Sequence, residues 1–80
     1  MKARIHVSLK PGVLDPQGKA ILGALTSMGI DGVSDARQGK LIELDLADTD
    51  PDAARARVDD MCRRLLANTV IETYDISLSE

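Results

Sequence analysis

Eighty residues with 44% hydrophobic content, no Phe, no Trp and one Tyr specify one small domain over residues 1–80 with a thin aliphatic core. A net charge of −3 and the lack of stacking aromatics exclude nucleic acid as a partner. The single cysteine, Cys62, excludes an internal disulfide and suits a reducing cytoplasm. No apolar run approaches the roughly 20 residues of a membrane span, and the N-terminal residues alternate rather than form a signal-peptide block.

Residues 2–10 have period two. Ala3, Ile5, Val7 and Leu9 fall on one face, and Arg4, His6, Ser8 and Lys10 on the other, which predicts a strand with one buried face. Pro11 and Gly12 end it, the first by removing a ladder donor and the second by allowing φ > 0. Val13 and Leu14 are apolar yet outside any regular period. Asp15 has the chemistry of an N-cap, and Pro16 fits the first helical position.

Ala20, Ile21, Ala24, Leu25 and Met28 form one helical stripe, so the first helix is expected over 16–28 with Gly29 as its C′ residue. Gln38-Gly39 reads as a tight turn between a weak edge strand, 33–37, and a stronger strand, 40–46. A second Asp-Pro pair, Asp50-Pro51, starts a second helix. Its stripe is Ala54, Val58, Met61, Cys62 and Leu65, and Asn68 fits the C′ position. A last strand is expected over 70–78, with Tyr74, Ile76 and Leu78 inward.

The order β-α-β-β-α-β leaves few topologies. The economical one is an α+β, ferredoxin-like layer: a four-stranded antiparallel sheet with both helices on one face.

Catalytic candidates are few. Cys62 lies on the apolar stripe, where a thiol without a cationic neighbour is inert. His6 is on the opposite sheet face, out of reach of Cys62, so no nucleophile–base pair exists. Asp48, Asp50, Asp52 and Asp59 imitate a calcium loop, but Ala53 replaces its glycine, Pro51 stiffens it, and helix capping explains these acids better. No Cys or His pair has metal-ligand spacing. Lys10, Gly12, Gly18 and Lys19 suggest an anion site at the first helix, against which the Asp15 carboxylate competes. The residues alone therefore point to an accessory or regulatory module with neither catalytic residues nor a metal.

Three stretches carry a resemblance. Residues 7–21, VSLKPGVLDPQGKAI, resemble the N-terminal motif of the PurS family, the small subunit of phosphoribosylformylglycinamidine synthase. Arg37-Gln-Gly-Lys40 followed by Ile42-Glu-Leu44, and the segment from Met61 to Tyr74, are similar to its central hairpin and C-terminal part. Thr69 stands where the family usually has Pro.

The resemblance implies a non-catalytic adaptor in de novo purine biosynthesis. The complete enzyme converts formylglycinamide ribonucleotide to the amidine with ATP, Mg and glutamine. Its large synthetase subunit binds nucleotide and substrate, and its glutaminase subunit releases ammonia. The small subunit is then expected to form a homo-oligomer, a dimer or a dimer of dimers, bridge the other two and support ammonia transfer, binding no cofactor itself. Lys10, Val13, Leu14, Asp15, Gln17, Arg37 and Lys40 are the candidate partner-binding residues. The competing expectation is a small-ligand-binding regulatory module on the same fold.

Overall fold

A computed structural model describes residues 1–80. Its elements are β1 (Lys2–Leu9), α1 (Pro16–Ser27), β2 (Lys40–Asp45), α2 (Pro51–Met61), a π-helical turn (Cys62–Leu66) and β3 (Glu72–Ser79). The sheet is antiparallel with order β2-β1-β3. Ile5 lies opposite both Ile42 and Ile76, so one apolar row crosses all three strands. The central position of β1 explains why Ala3, Ile5 and Val7 are the sheet residues with full burial. Its alternation is the sequence pattern made visible.

On that face α2 contributes Ala54, Val58 and, one turn on, Cys62, all buried. Asp50 caps α2 by accepting from the Asp52 N–H at 3.1 Å, with Pro51 at the first position. The helix then widens. The Ala67 N–H bonds the Cys62 carbonyl, an i→i+5 pattern that sets the stripe off by one residue. Leu65, expected inward, is therefore 82% exposed, while Leu66 and Ala67 turn toward the core. Asn68 is not a left-handed C′ residue either, since every positive-φ residue is glycine. Its side chain instead accepts from the Val70 N–H, and its own N–H donates to Glu72, closing the turn into β3.

The four-stranded layer is not observed. Residues 33–39 have no regular structure, and the hairpin at Gln38-Gly39 does not form. Two ties explain this. The Gln38 N–H donates to Asp15, and the Arg37 guanidinium donates to the Leu9 and Lys10 carbonyls at 3.0 and 3.1 Å. Both hold the segment to the β1–α1 corner instead of beside β2. Gly39 is still required: a Cβ there would stand 2.7 Å from the Val7 carbonyl oxygen.

Nor do two helices cover one face. α2 packs on β3, whereas α1 has no more than marginal contact with any other element. It projects from the sheet as an arm, and the molecule measures 49 × 27 × 15 Å.

Candidate functional site

The β1–α1 corner is held by bonds from residues far along the chain. Asp15 is 7% exposed, and its carboxylate accepts from the Gly18 N–H at 2.9 Å and the Gln38 N–H at 2.7 Å. These donors hold its carboxyl below the ordinary value of 3.8, Gln38 being the larger cause and Gly18 the next. Asp15 is thus an ionised structural pin that joins the start of α1 to the segment before β2. Gly18 belongs to the same device, because a Cβ there would run into the Ala36 carbonyl and the Asp15 carboxylate. Gly12, at φ +87°, makes the turn that brings the chain from β1 to Asp15.

Two clefts flank Asp15. One, of about 410 Å³, lies between the end of β1, Gln17 and residues 38–40, with Ser8, Lys40 and Glu72 on its walls. The other, of about 280 Å³, lies between residues 12–15, Lys19 and residues 35–37. Small-ligand sites are mostly apolar. The larger cleft offers only Val7, Leu9 and the Pro16 ring as apolar wall.

The candidate residues identified in the sequence converge here. Val13 is half-buried, Leu14 is 63% exposed, and Gln17, Arg37 and Lys40 are at the surface. Lys10 is half-buried, and its N–H donates to the Ile71 carbonyl at 2.8 Å. Asp15 is internal, so its contribution is the shape of the corner. Arg37 likewise props the corner while its charge remains at the surface.

Sequence reasoning missed the Asp15–Gln38 bond and the Gly18–Ala36 approach. The Asp-Pro-x-Gly spelling was the available signal for the first half of this device, and nothing local announced the second. His6 and Cys62 are not brought together: His6 is exposed on the far face and Cys62 is fully buried under α2. Burial and nearby Asp59 push the Cys62 thiol up, away from the reactive thiolate. No group of three or more His, Cys, Asp or Glu is placed to hold a metal ion.

Two helices and a three-stranded antiparallel sheet define a small domain of α+β class, with an exposed Leu14 and surface cations gathered at its β1–α1 corner. The PurS family model, described as phosphoribosylformylglycinamidine (FGAM) synthase, matches residues 2–80. The chain belongs to the PurS family. It is similar to the FGAM synthase subunit PurS of Synechocystis, with 54% identity over 89% of this chain and 71% of that protein. Among solved structures, Bacillus subtilis PurS superposes with a TM-score of 0.88, at 48% identity over 99% of this chain and 98% of the other. A chain in the PurLQS structure from Thermotoga maritima gives 0.87, at 32% identity over 95% and 93%.

Proposed function

We propose that this chain is the small, non-catalytic subunit of FGAM synthase in purine biosynthesis. It bridges a large synthetase subunit and a glutaminase subunit, supports ammonia transfer between them, and acts as a homodimer in the cytoplasm. ATP and Mg serve the complex and are not held by this chain. One observation carries the reading: the preformed corner presents Leu14 to solvent on a backbone pinned by Asp15. An exposed apolar side chain on a rigid loop suits a partner surface, because little conformational entropy is lost on docking. Lys40 and Arg37, both at the surface, suit acidic groups on that partner. Family membership and the resemblance to a chain of PurLQS support the same reading.

The test is reconstitution of glutamine-dependent amidation from the two larger subunits with and without this chain. Turnover is expected only in its presence. Leu14→Asp should keep the wild-type circular dichroism spectrum and lose co-elution with the synthetase subunit. Full glutamine-dependent turnover without the chain, or unchanged co-elution of the variant, overturns the proposal.

A further inference from the structure

We infer that the free edge of β3 takes on an added strand, an extended, cation-bearing segment of the glutaminase subunit. The inference rests on the adaptor reading above and names the second surface that a bridge needs, the corner being the first.

β3 pairs with β1 on one side and has no neighbour on the other. Its register against β1 runs unbroken from Glu72 to Ser79, with no bulge. Just before the first pair, the Lys10 N–H donates to the Ile71 carbonyl. Antiparallel hydrogen bonding alternates along a strand, so Thr73, Asp75 and Ser77 turn their backbone groups to β1. Tyr74, Ile76 and Leu78 then turn theirs outward. The Arg55 side chain marks that direction, since its guanidinium donates to the Ile76 carbonyl at 3.1 Å.

Natural sheet edges are blunted by proline, lysine, bulges or short length, because unpaired N–H and C=O groups recruit other strands. β3 has eight residues and no proline, lysine or bulge. Its cover is Arg55, an exposed side chain bonded to a single carbonyl. An edge left in this state suits strand addition, in which main-chain hydrogen bonds give affinity and flanking side chains give specificity.

Charge selects the strand. A cleft of about 540 Å³ runs between α2 and this edge, with Asp52, Asp59, Asp75 and Arg55 beside Tyr74 and Ile76. Asp59 is already bonded to Tyr74 and Arg63. Asp52 and Asp75 are exposed and form no ion pair. An added strand bearing lysine or arginine complements both. A second copy of β3 does not, because its charges are Glu72 and Asp75 and would meet their like. No residue of this cleft lines either cleft at the corner. Corner and edge can therefore hold different partners at once, as a bridge requires.

Hydrogen exchange of residues 72–79, read by mass spectrometry on the full chain, tests the placement. Protection should be unchanged by the synthetase subunit alone and should rise when the glutaminase subunit joins. A chain carrying both Asp52→Lys and Asp75→Lys should keep the wild-type circular dichroism spectrum. It should weaken capture of the glutaminase subunit by about tenfold. Arg55→Ala should tighten capture, because it frees a carbonyl and removes a like charge. A merely structural role would not move the two variants in opposite directions. Protection that never rises overturns the inference. So does protection already given by the synthetase subunit, or by the chain alone as its concentration increases. Unchanged capture by the charge-reversed chain, or weaker capture by Arg55→Ala, overturns it too. In each of these cases the wild-type complex still assembles and the adaptor reading stands. If the wild-type chain recruits neither larger subunit, the adaptor reading falls and this inference falls with it.

Discussion

The Asp15 carboxylate accepts a 2.7 Å hydrogen bond from the backbone N–H of Gln38, 23 residues further along the chain. The same carboxylate caps α1 through Gly18. One side chain therefore fixes both the direction in which the arm leaves the sheet and the route by which the chain returns to β2.

This pin is acid-sensitive. The folded carboxyl titrates below 3.8 because its donors bind the ionised form. The unfolded chain takes up the proton first as pH falls, so the stabilisation is complete above 3.8 and is lost as pH drops through the folded value. Asp15→Asn can satisfy one N–H but turns its amide toward the other. Its urea midpoint is expected to lie below wild type at pH 7, with the gap narrowing in acid. Parallel midpoints at every pH would show that the carboxylate charge is not what holds the corner.

Two glycines of α1 give opposite expectations for the same substitution. Gly23 has open space where an added methyl would stand, away from the apolar stripe, so Gly23→Ala should stabilise by about 0.5–1 kcal/mol. Gly18→Ala gains the same helix propensity but drives a Cβ into the Ala36 carbonyl and Asp15. A net loss of about 1–3 kcal/mol is expected there, the usual cost of overpacking. Chemical denaturation of both variants decides whether corner packing outweighs propensity.

What the sequence made legible was local. Period two gave β1, and the two Asp-Pro pairs gave both helix starts. The stripe through Val58 placed Cys62 in the core. What stayed hidden depends on contacts far apart in sequence or on a change of helical pitch. Residues 33–37, with Asp35 and Arg37 and few bulky apolars, read as a weak edge strand, yet the bonds from Gln38 to Asp15 and from Arg37 to Leu9 and Lys10 take them elsewhere. Leu65 obeys the α-helical period and is turned out by the π turn. The α1 stripe was readable as apolar, but periodicity carries no information on what covers it, and in this chain α1 lies off the sheet.

Cys62 should behave as a core residue. Its thiol is fully buried between α2 and the sheet, with burial and then Asp59 raising it. A thiol reagent such as Ellman's should react with it only in denaturant. Cys62→Ser preserves the volume but buries a hydroxyl without a prepared partner, for an expected loss of about 1–3 kcal/mol. Rapid labelling of the native protein would place the thiol at the surface instead.

Tyr74 provides a spectroscopic test of the α2–β3 contact, since it is the only aromatic side chain in the chain apart from the His6 imidazole. Its hydroxyl donates to Asp59 at 2.5 Å, and Asp59 also pairs with Arg63 at 3.0 Å. The bond to Asp59, followed by burial, raises the phenol above 10.0. A group raised on folding stabilises below its unfolded value and loses that contribution as pH climbs through the folded one. Absorbance at the tyrosinate band should therefore titrate above 10.0 in the native protein and return toward 10.0 in denaturant. Asp59→Asn should bring the native midpoint down, because the carboxylate that repels tyrosinate is gone. A native midpoint at or below the denatured one would mean that α2 and β3 do not meet through this pair.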